Sequence, residues 1–322
     1  MMSLFADVTP TAMEQFSSYL LNGLSLGMLI SLVALGYTMV YGIIELINFA
    51  HGDLFMLGSF VAYTILTMLF FDGVTDFTTQ SILKIVLAVT VTIIASTIFC
   101  ALLNCAIDYT VYKPLRNAPK LAPFVSAIGV SFILINIGLF WGGSQDVNFP
   151  SLIPDYNLLG EKARISFPLK DLLVFSVTIP LMIILTLFVK FTSLGKAMRA
   201  TAQNPVAAKL MGINTDLVIT TTFMIGGALA GAGSVVYALK IGTIHFMMGF
   251  QNGLYAFTAA VLGGIGNIPG AVLGGLLIGL IRALGSAYIG EKWTGALVFA
   301  MLIALLVFRP QGLLGARVRE KV

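Results

Sequence analysis

Eight stretches of this 322-residue chain contain no Lys, Arg, Asp or Glu: 15–44, 54–71, 85–107, 121–145, 172–189, 217–239, 241–281 and 293–308. A helix needs about 20 apolar residues to cross a hydrocarbon core about 30 Å thick. Seven of the stretches are close to that length or longer, and the shortest, 293–308, gains length by burying Trp293 and snorkelling Lys292 and Arg309 at its ends. The stretch 241–281 is too long for one helix. Its run Gly263, Gly264, Gly266, Asn267, Pro269, Gly270 predicts a break into two arms, 253–264 and about 269–285. Only 10% of residues are charged, against about 25% in a soluble domain, so a water-facing surface is excluded. The 58% hydrophobic content excludes disorder, and two cysteines exclude a disulfide-stapled fold. The chain reads as an all-α polytopic integral membrane protein, one transmembrane unit over 1–322. It has eight spans with one broken, or nine if both arms cross.

The charges set the orientation. Segments 108–120 (Lys113, Arg116, Lys120), 190–216 (Lys190, Lys196, Arg199, Lys209) and the tail (Arg309, Arg317, Arg319, Lys321) hold 11 of the 18 basic residues. The positive-inside rule makes them cytoplasmic. Tracing back puts the N-terminus outside, 42–53 inside, and 72–84, 142–171 and 240–252 outside, with the C-terminus cytoplasmic. Parity does not separate two crossing arms in 253–285 from a pair that re-enters and returns. The apolar run after Gln15 exceeds a signal-peptide core and reads as an uncleaved first span. The net charge of +4 thus records orientation and gives no reason to expect nucleic acid.

No soluble segment is long enough to be a separate receptor domain, so the spans are the machine. Glycines recur at four-residue spacing (Gly23 and Gly27, Gly138 and Gly142, Gly227 and Gly231, Gly266, Gly270 and Gly274, Gly275 and Gly279). In lipid such spacing lets helices approach closely enough for van der Waals contact. That accounts for single pairs as plain packing. A ladder interrupted by Asn267 and Pro269 also fits a broken transporter helix that exposes backbone polar groups to a solute.

The loop 190–216 is the longest cytoplasmic connection between spans. Asn204 suits a helix N-cap with Pro205 as first residue, and Val206–Met211 makes one to two turns that Gly212 can end. A short helix with small Ala207 and Ala208, flanked by Gly195, Lys196 and Arg199, is shaped to dock into a groove on another protein. A connector lying on anionic membrane lipid accounts for the same residues.

In the other half, His51 and Asp53, with Glu45 nearby, are the ionisable groups best placed for a proton-coupled path. An interfacial capping turn at the cytoplasmic start of the second span is the simpler reading of them, Asp53 being favoured there by the helix dipole. They are weak metal ligands, because three or four are needed and His245 falls on the opposite side. No metal and no catalytic residue is expected. Cys100 and Cys105 read as packing residues.

Two longer segments resemble a known family. Gly36-Tyr37-Thr38-Met39-Val40-Tyr41-Gly42-Ile43-Ile44-Glu45-Leu46-Ile47-Asn48-Phe49-Ala50-His51-Gly52-Asp53 is similar to the signature of branched-chain amino-acid uptake permeases of the LivH type. So is Ala256-Phe257-Thr258-Ala259-Ala260-Val261-Leu262-Gly263-Gly264-Ile265-Gly266-Asn267-Ile268-Pro269-Gly270, together with Gly212-Ile213-Asn214-Thr215-Asp216. Ala207-Ala208-x-x-x-Gly212 resembles the centre of the coupling loop of ATP-binding-cassette import permeases, although Val206 stands where that loop usually has Glu and the downstream Ile-x-Leu-Pro element is missing. The resemblance covers about residues 20–315. It implies an ABC-importer permease fold in a bacterial inner membrane, paired with a LivM-type permease, two cytoplasmic ATPases and a periplasmic solute-binding protein. The substrates it implies are leucine, isoleucine and valine, with amides or urea as alternatives. The chain itself has no Gly-x4-Gly-Lys-Ser/Thr loop, so ATP and Mg belong to the partners and this subunit is not an enzyme. The mechanism expected is alternating access. The binding protein docks on 142–171, with its mixed Asp146, Asp155, Glu161, Lys162, Arg164 and Lys170. The ATPases push on the 195–212 helix, and the path is lined by Asn48, His51 and Asp53 and by Gly263–Gly270.

Overall fold

The computed structural model describes residues 11–44, 48–70, 81–116, 118–119, 121–154, 156–160 and 165–315. The helices are α1 (Ala12–Ile44), α2 (Ala50–Ile65, continued by a π turn, Leu66–Phe70), α3 (Ile82–Ile107), which runs through a π turn (Asp108–Tyr112) into α4 (Lys113–Leu115), and α5 (Leu121–Gly142). They continue as α6 (Leu169–Phe191), α7 (Ser193–Gln203), α8 (Pro205–Leu210), α9 (Thr215–Ile241), α10 (Met248–Gly263), α11 (Ile268–Tyr288) and α12 (Glu291–Phe308). Two short strands, β1 (Val147–Asn148) and β2 (Thr243–Ile244), pair antiparallel with Val147 opposite Ile244. Among the described residues, eight helices are long and apolar enough to cross a membrane. In a medium without water, a helix satisfies its own backbone groups, which is why charge-free segments fold this way. Their ends are set locally: Ser81, Asn214 and Asn267 accept N-cap bonds from Lys84, Leu217 and Gly270, and Gly242 at φ +77° stops α9.

The described residues of 142–154, 156–160 and 165–171, the segment after α9 and the start of α1 share one end of the bundle. β1 pairs with β2 there, and the Ser166 amide donates to Ser18 Oγ at 3.1 Å. This is the ribbon end. The other, the basic end, carries α4, α7, α8 and the segment after α12. The centre is α1 and α9, whereas α6 and α12 turn Ile183, Ile184, Ile303 and Val307 outward.

The packing repeats with exchanged roles. A Cβ on Gly27 of α1 would lie 3.0 Å from the Gly275 oxygen of α11, and one on Gly227 of α9 would lie 2.4 Å from the Cys100 oxygen of α3. Where α2 meets α10 the contact is reciprocal: a Cβ on Gly52 would sit 2.4 Å from the Gly249 oxygen, and one on Gly249 would sit 2.6 Å from the Gly52 oxygen. α1-α2-α3 and α9-α10-α11 run in opposite directions, so this is the arrangement of an inverted repeat.

The sequence predicts a break within 253–285. The break is present, between α10 and α11, but the first arm begins at Met248, five residues before the expected 253. Its turn lies at the basic end: a Cβ on Gly42, two residues before α1 ends, would be 3.0 Å from Gly266 Cα. α11 is among the eight helices long and apolar enough to cross a membrane, and α10 is not. α10, with 16 residues, rises about 24 Å.

Candidate functional site

At the basic end the local signals around 192–214 operate as the sequence predicts. Thr192 caps α7 by accepting from Gly195 N at 3.0 Å, and Asn204 caps α8 by accepting from Ala207 N at 2.9 Å. Pro205 is the first residue of α8, and Gly212 at φ +84° follows its end. The six residues assigned to the coupling loop, Gly195, Arg199, Asn204, Ala207, Ala208 and Gly212, do not share one environment. Gly195 sits against the end of α6, where a Cβ would meet the Val189 oxygen at 2.3 Å. Arg199 donates to the Val189 carbonyl and, at 3.3 Å, to that of Lys190, so it caps α6. Ala208 is buried. What the segment presents outward is Ala207, with Val206, Leu210 and Met211, the last two 83% exposed. The corner between α8 and α9 is fastened to α3: Arg116 holds both oxygens of buried Asp108 at 2.8 Å and Asp216 at 2.5 Å, and Thr220 donates to Asp108 at 2.6 Å.

The second place is the interior junction of the N-termini of α2 and α10. The sequence put His51 and Asp53 in a capping turn at the membrane boundary. Both lie instead inside the first turn of α2 and are buried, and the N-cap residue Phe49 makes no side-chain bond. His51 faces Gly36, eight residues inside α1: a Cβ there would lie 2.4 Å from its Nε2. Its ring meets Tyr37 edge to face with centroids 4.7 Å apart. Chain order counted these residues as loop because they adjoin a charge, whereas packing from α1, α5, α9 and α10 encloses them. Asp53 accepts from Ser131 at 2.5 Å, and Asn48 accepts from the Tyr112 hydroxyl at 2.8 Å. Neither ring nitrogen of His51 makes a hydrogen bond of good geometry among the described residues, although the Val33 backbone lies close to the ring, and Asp53 Oδ1, Asn48 Nδ2 and Thr38 Oγ1 are unpaired there too. Glu45 lies outside the described residues, as do Asp155, Glu161, Lys162 and Arg164 of the ribbon-end loop.

An unsatisfied buried polar group costs about 1–3 kcal/mol. His51→Leu is therefore expected to raise the melting temperature of the purified protein in detergent. A lower melting temperature would show that the imidazole is held by a partner and defeat this assignment.

The break at Gly263–Gly270 is a close crossing: Gly263 and Gly270 touch so tightly that a Cβ on Gly263 would lie 1.9 Å from the Gly270 oxygen. Gly264 has φ +106°, Asn267 Oδ1 caps α11, and Pro269 occupies its first turn. The freed carbonyls are taken. Leu313 and Leu314 donate to Leu262 and Gly263 at 2.9 and 3.0 Å, and Asn267 Nδ2 donates to Leu314 O at 2.6 Å. The segment after α12 thus closes over the Leu262 and Gly263 carbonyls, leaving Ile265 and Gly266 exposed at the turn. The discontinuity that answers Asn48–Asp53 is the start of α10, with Gly249 and Gly253. Four-residue glycine spacing is the signal that could have found them. A cleft of about 80 Å³, lined by Met39, Gly42, Met198, Arg199 and Gly266, joins the α7 arm to the break and to α1.

Discontinuous helices meeting inside a polytopic bundle, with a projecting arm at the basic end, recur in membrane transporters. The family model described as "Branched-chain amino acid transport system / permease component" matches residues 19–306. The chain belongs to this family. Among its relatives, the high-affinity branched-chain amino acid transport system permease protein BraD of Pseudomonas aeruginosa is 41% identical over 305 residues, covering 94% of this chain and 97% of its own. The permease LivH of Escherichia coli K12 is 40% identical over 314 residues, covering 96% and 99%. The autoinducer 2 import system permease protein LsrC of Escherichia coli is more distant, 30% identical over 200 residues, 59% of this chain and 56% of its own. No solved structure matches. As a member of the family, the protein is a multi-pass membrane permease component and not an enzyme.

Proposed function

We propose that the protein is a membrane-spanning permease subunit of an ATP-binding-cassette importer that carries leucine, isoleucine and valine into the cytoplasm. The basic end faces the cytoplasm of a bacterial inner membrane. The protein pairs with a LivM-type permease, takes solute from a periplasmic binding protein at the ribbon end, and receives the stroke of two ATPases at α8. The substrate class rests on near-full-length identity to permeases named for branched-chain amino acids. The coupling assignment rests on the apolar tip of α8. Val206 and Leu210 of the short helix α8 and its C-cap Met211 stand exposed between α7, which Arg199 ties to the end of α6, and α9, whose Asp216 is held by Arg116; an exposed apolar tip suits insertion into a groove. A push on α8 would pass through α7 and the 80 Å³ cleft to α1 and the α10–α11 turn.

Ala207→Glu tests the docking. Ala207 is exposed on α8, so the change is tolerated by the fold, whereas Gly212→Glu would strain a left-handed backbone. The expected result is normal membrane insertion with loss of the ATPases on co-purification; unchanged ATPase recovery rejects the docking assignment. Leucine uptake that urea and acetamide fail to compete supports the substrate class, and competition by either would favour an amide permease. A proton-coupled carrier would draw on His51 and Asp53. Asp53 is bonded to Ser131, and His51 packs on Gly36 and Tyr37, an arrangement with no bond linking the two.

A further inference from the structure

Arg282 lies on α11 six residues before the helix ends at Tyr288, about 9 Å along the axis. A cation at such depth is expensive and marks function unless it is paired. The comparable Lys240, at the end of α9, is paired: its Nζ lies 2.6 Å from both Asp171 and Ser25. Arg282 has one contact of note, the ring of Tyr255 with Cζ 4.4 Å from the centroid, which covers a face of the guanidinium. Its N–H edge has no acceptor among the described residues, and no ion pair links it to Glu291.

The guanidinium stands between two spaces. Toward the ribbon end is a vestibule of about 250 Å³, with Tyr19, Asn22 and Ser286 on its walls and Glu291, the first residue of α12, at its rim. Toward the interior, past Phe55, Tyr237 and Asn252, the space shrinks to about 10 Å³, room for about one water molecule. The vestibule is thus closed below Arg282. It holds a cation at its floor, a carboxylate at its rim that has no partner among the described residues, and apolar wall from Leu26 and Ala283 between, and it is smaller than the sites of drug-sized ligands.

We infer that this vestibule binds a small zwitterionic amino acid on its way through the permease, the α-carboxylate on the Arg282 guanidinium and the α-ammonium toward Glu291. The planar fork of arginine fits a carboxylate with two parallel bonds, and the aliphatic side chain lies against Leu26 and Ala283. The inference rests on the importer reading in taking the ribbon end as the side from which solute arrives. Arg282 then holds the solute above the closed point until the helices part.

The test labels the full-length permease, assembled with its partner subunits in proteoliposomes. Ser286→Cys places a thiol in the half-buried vestibule wall; Cys105→Ala removes the half-buried native thiol, and Cys100 is buried. Leucine at about ten times its dissociation constant should slow maleimide labelling about tenfold. Isoamylamine, which lacks the carboxylate, and 4-methylpentanoate, which lacks the amine, should each lose most of that protection. Arg282→Gln should abolish protection by leucine, and Arg282→Lys should retain part of it. Labelling that leucine leaves unchanged, equal protection by isoamylamine, or full protection in Arg282→Gln would each overturn the inference. The comparison of the three compounds needs no change at Arg282, so a folding defect in that variant does not blunt the test. ATP-driven leucine uptake without protection removes the vestibule site and leaves the importer reading standing. Protection without ATP-driven uptake does the reverse.

Discussion

Gly52→Val should leave the purified permease markedly less stable and without transport activity. A Cβ at this position would lie 2.4 Å from the Gly249 oxygen and 2.8 Å from Gly253 Cα. Both neighbours are backbone atoms of α10, so no rotamer change relieves the overlap, and α2 and α10 must separate. Overpacking of this kind costs about 1–3 kcal/mol, and a backbone neighbour puts the cost at the upper end. The separation falls where two helix N-termini meet beside His51 and Asp53, so the solute path is disturbed along with stability. Gly129→Val is the control, because a Cβ at Gly129 meets nothing within 4 Å. Thermal melting in detergent should show Gly129→Val near wild type and Gly52→Val well below it. Equal melting would mean that the two helices do not approach as closely as described.

The parts of this fold legible in the sequence are those governed by one segment at a time. Charge-free runs predict helices because lipid leaves the backbone no other partner. The cap at Asn204, the proline at 205 and the stop at Gly212 are set within a few residues, and the structure places each where local chemistry puts it. The same holds for the break at Gly263–Gly270. Depth is another matter. His51, Asp53, Asp108, Asp171, Lys240 and Arg282 all adjoin charge-free runs, and a residue string treats each as a boundary marker. Whether such a group sits in water or in the bundle depends on which helices surround it. Lys240 is inside because Asp171 and Ser25 arrive from α6 and α1, 69 and 215 residues away. Arg116, counted for orientation, turns its two terminal nitrogens to Asp108 and Asp216.

The glycines divide in the same way. Gly27 and Gly227 were legible as packing positions, yet their equivalence under the inverted repeat needed the partners, Gly275 and Cys100. Met247 and Met248 carry no proline or capping signal, so only the four-residue spacing of Gly249 and Gly253 points to the start of α10, while its end is plain. The family-like segment 36–53 is one continuous string. In the fold it doubles back, bringing Gly36 against His51 and making those residues a single cluster with Gly52 and Gly249. That a contiguous motif carries contacts between two helices explains why it is recognisable as a string without revealing what it builds.

Lys240→Met should destabilise the protein by about 3–5 kcal/mol, the range for removing one partner of a buried ion pair. The side chains of Lys240 and Asp171 are 9% and 3% exposed, with Nζ to Oδ1 at 2.6 Å. Ser25 donates to the same Asp171 oxygen at 2.7 Å, and one neutral hydroxyl is too little for a carboxylate left alone in an apolar bundle. Asp171→Leu strands the ammonium in the same way. The double variant Lys240→Met/Asp171→Leu removes both charges and should melt well above either single variant, because apolar replacement of a buried pair is often neutral. The cycle also separates stability from transport. The pair fastens α6 to α1 and α9 near the ribbon end, while the opposite end of α6 carries Arg199 and the α7–α8 arm. If α6 is a lever between the two ends, the double variant recovers its melting temperature and still transports poorly, since an apolar contact lets α6 slide where an ion pair held it. Full recovery of uptake would reduce the triad to a structural fastening, and a double variant no more stable than the singles would show that the two charges do not compensate one another.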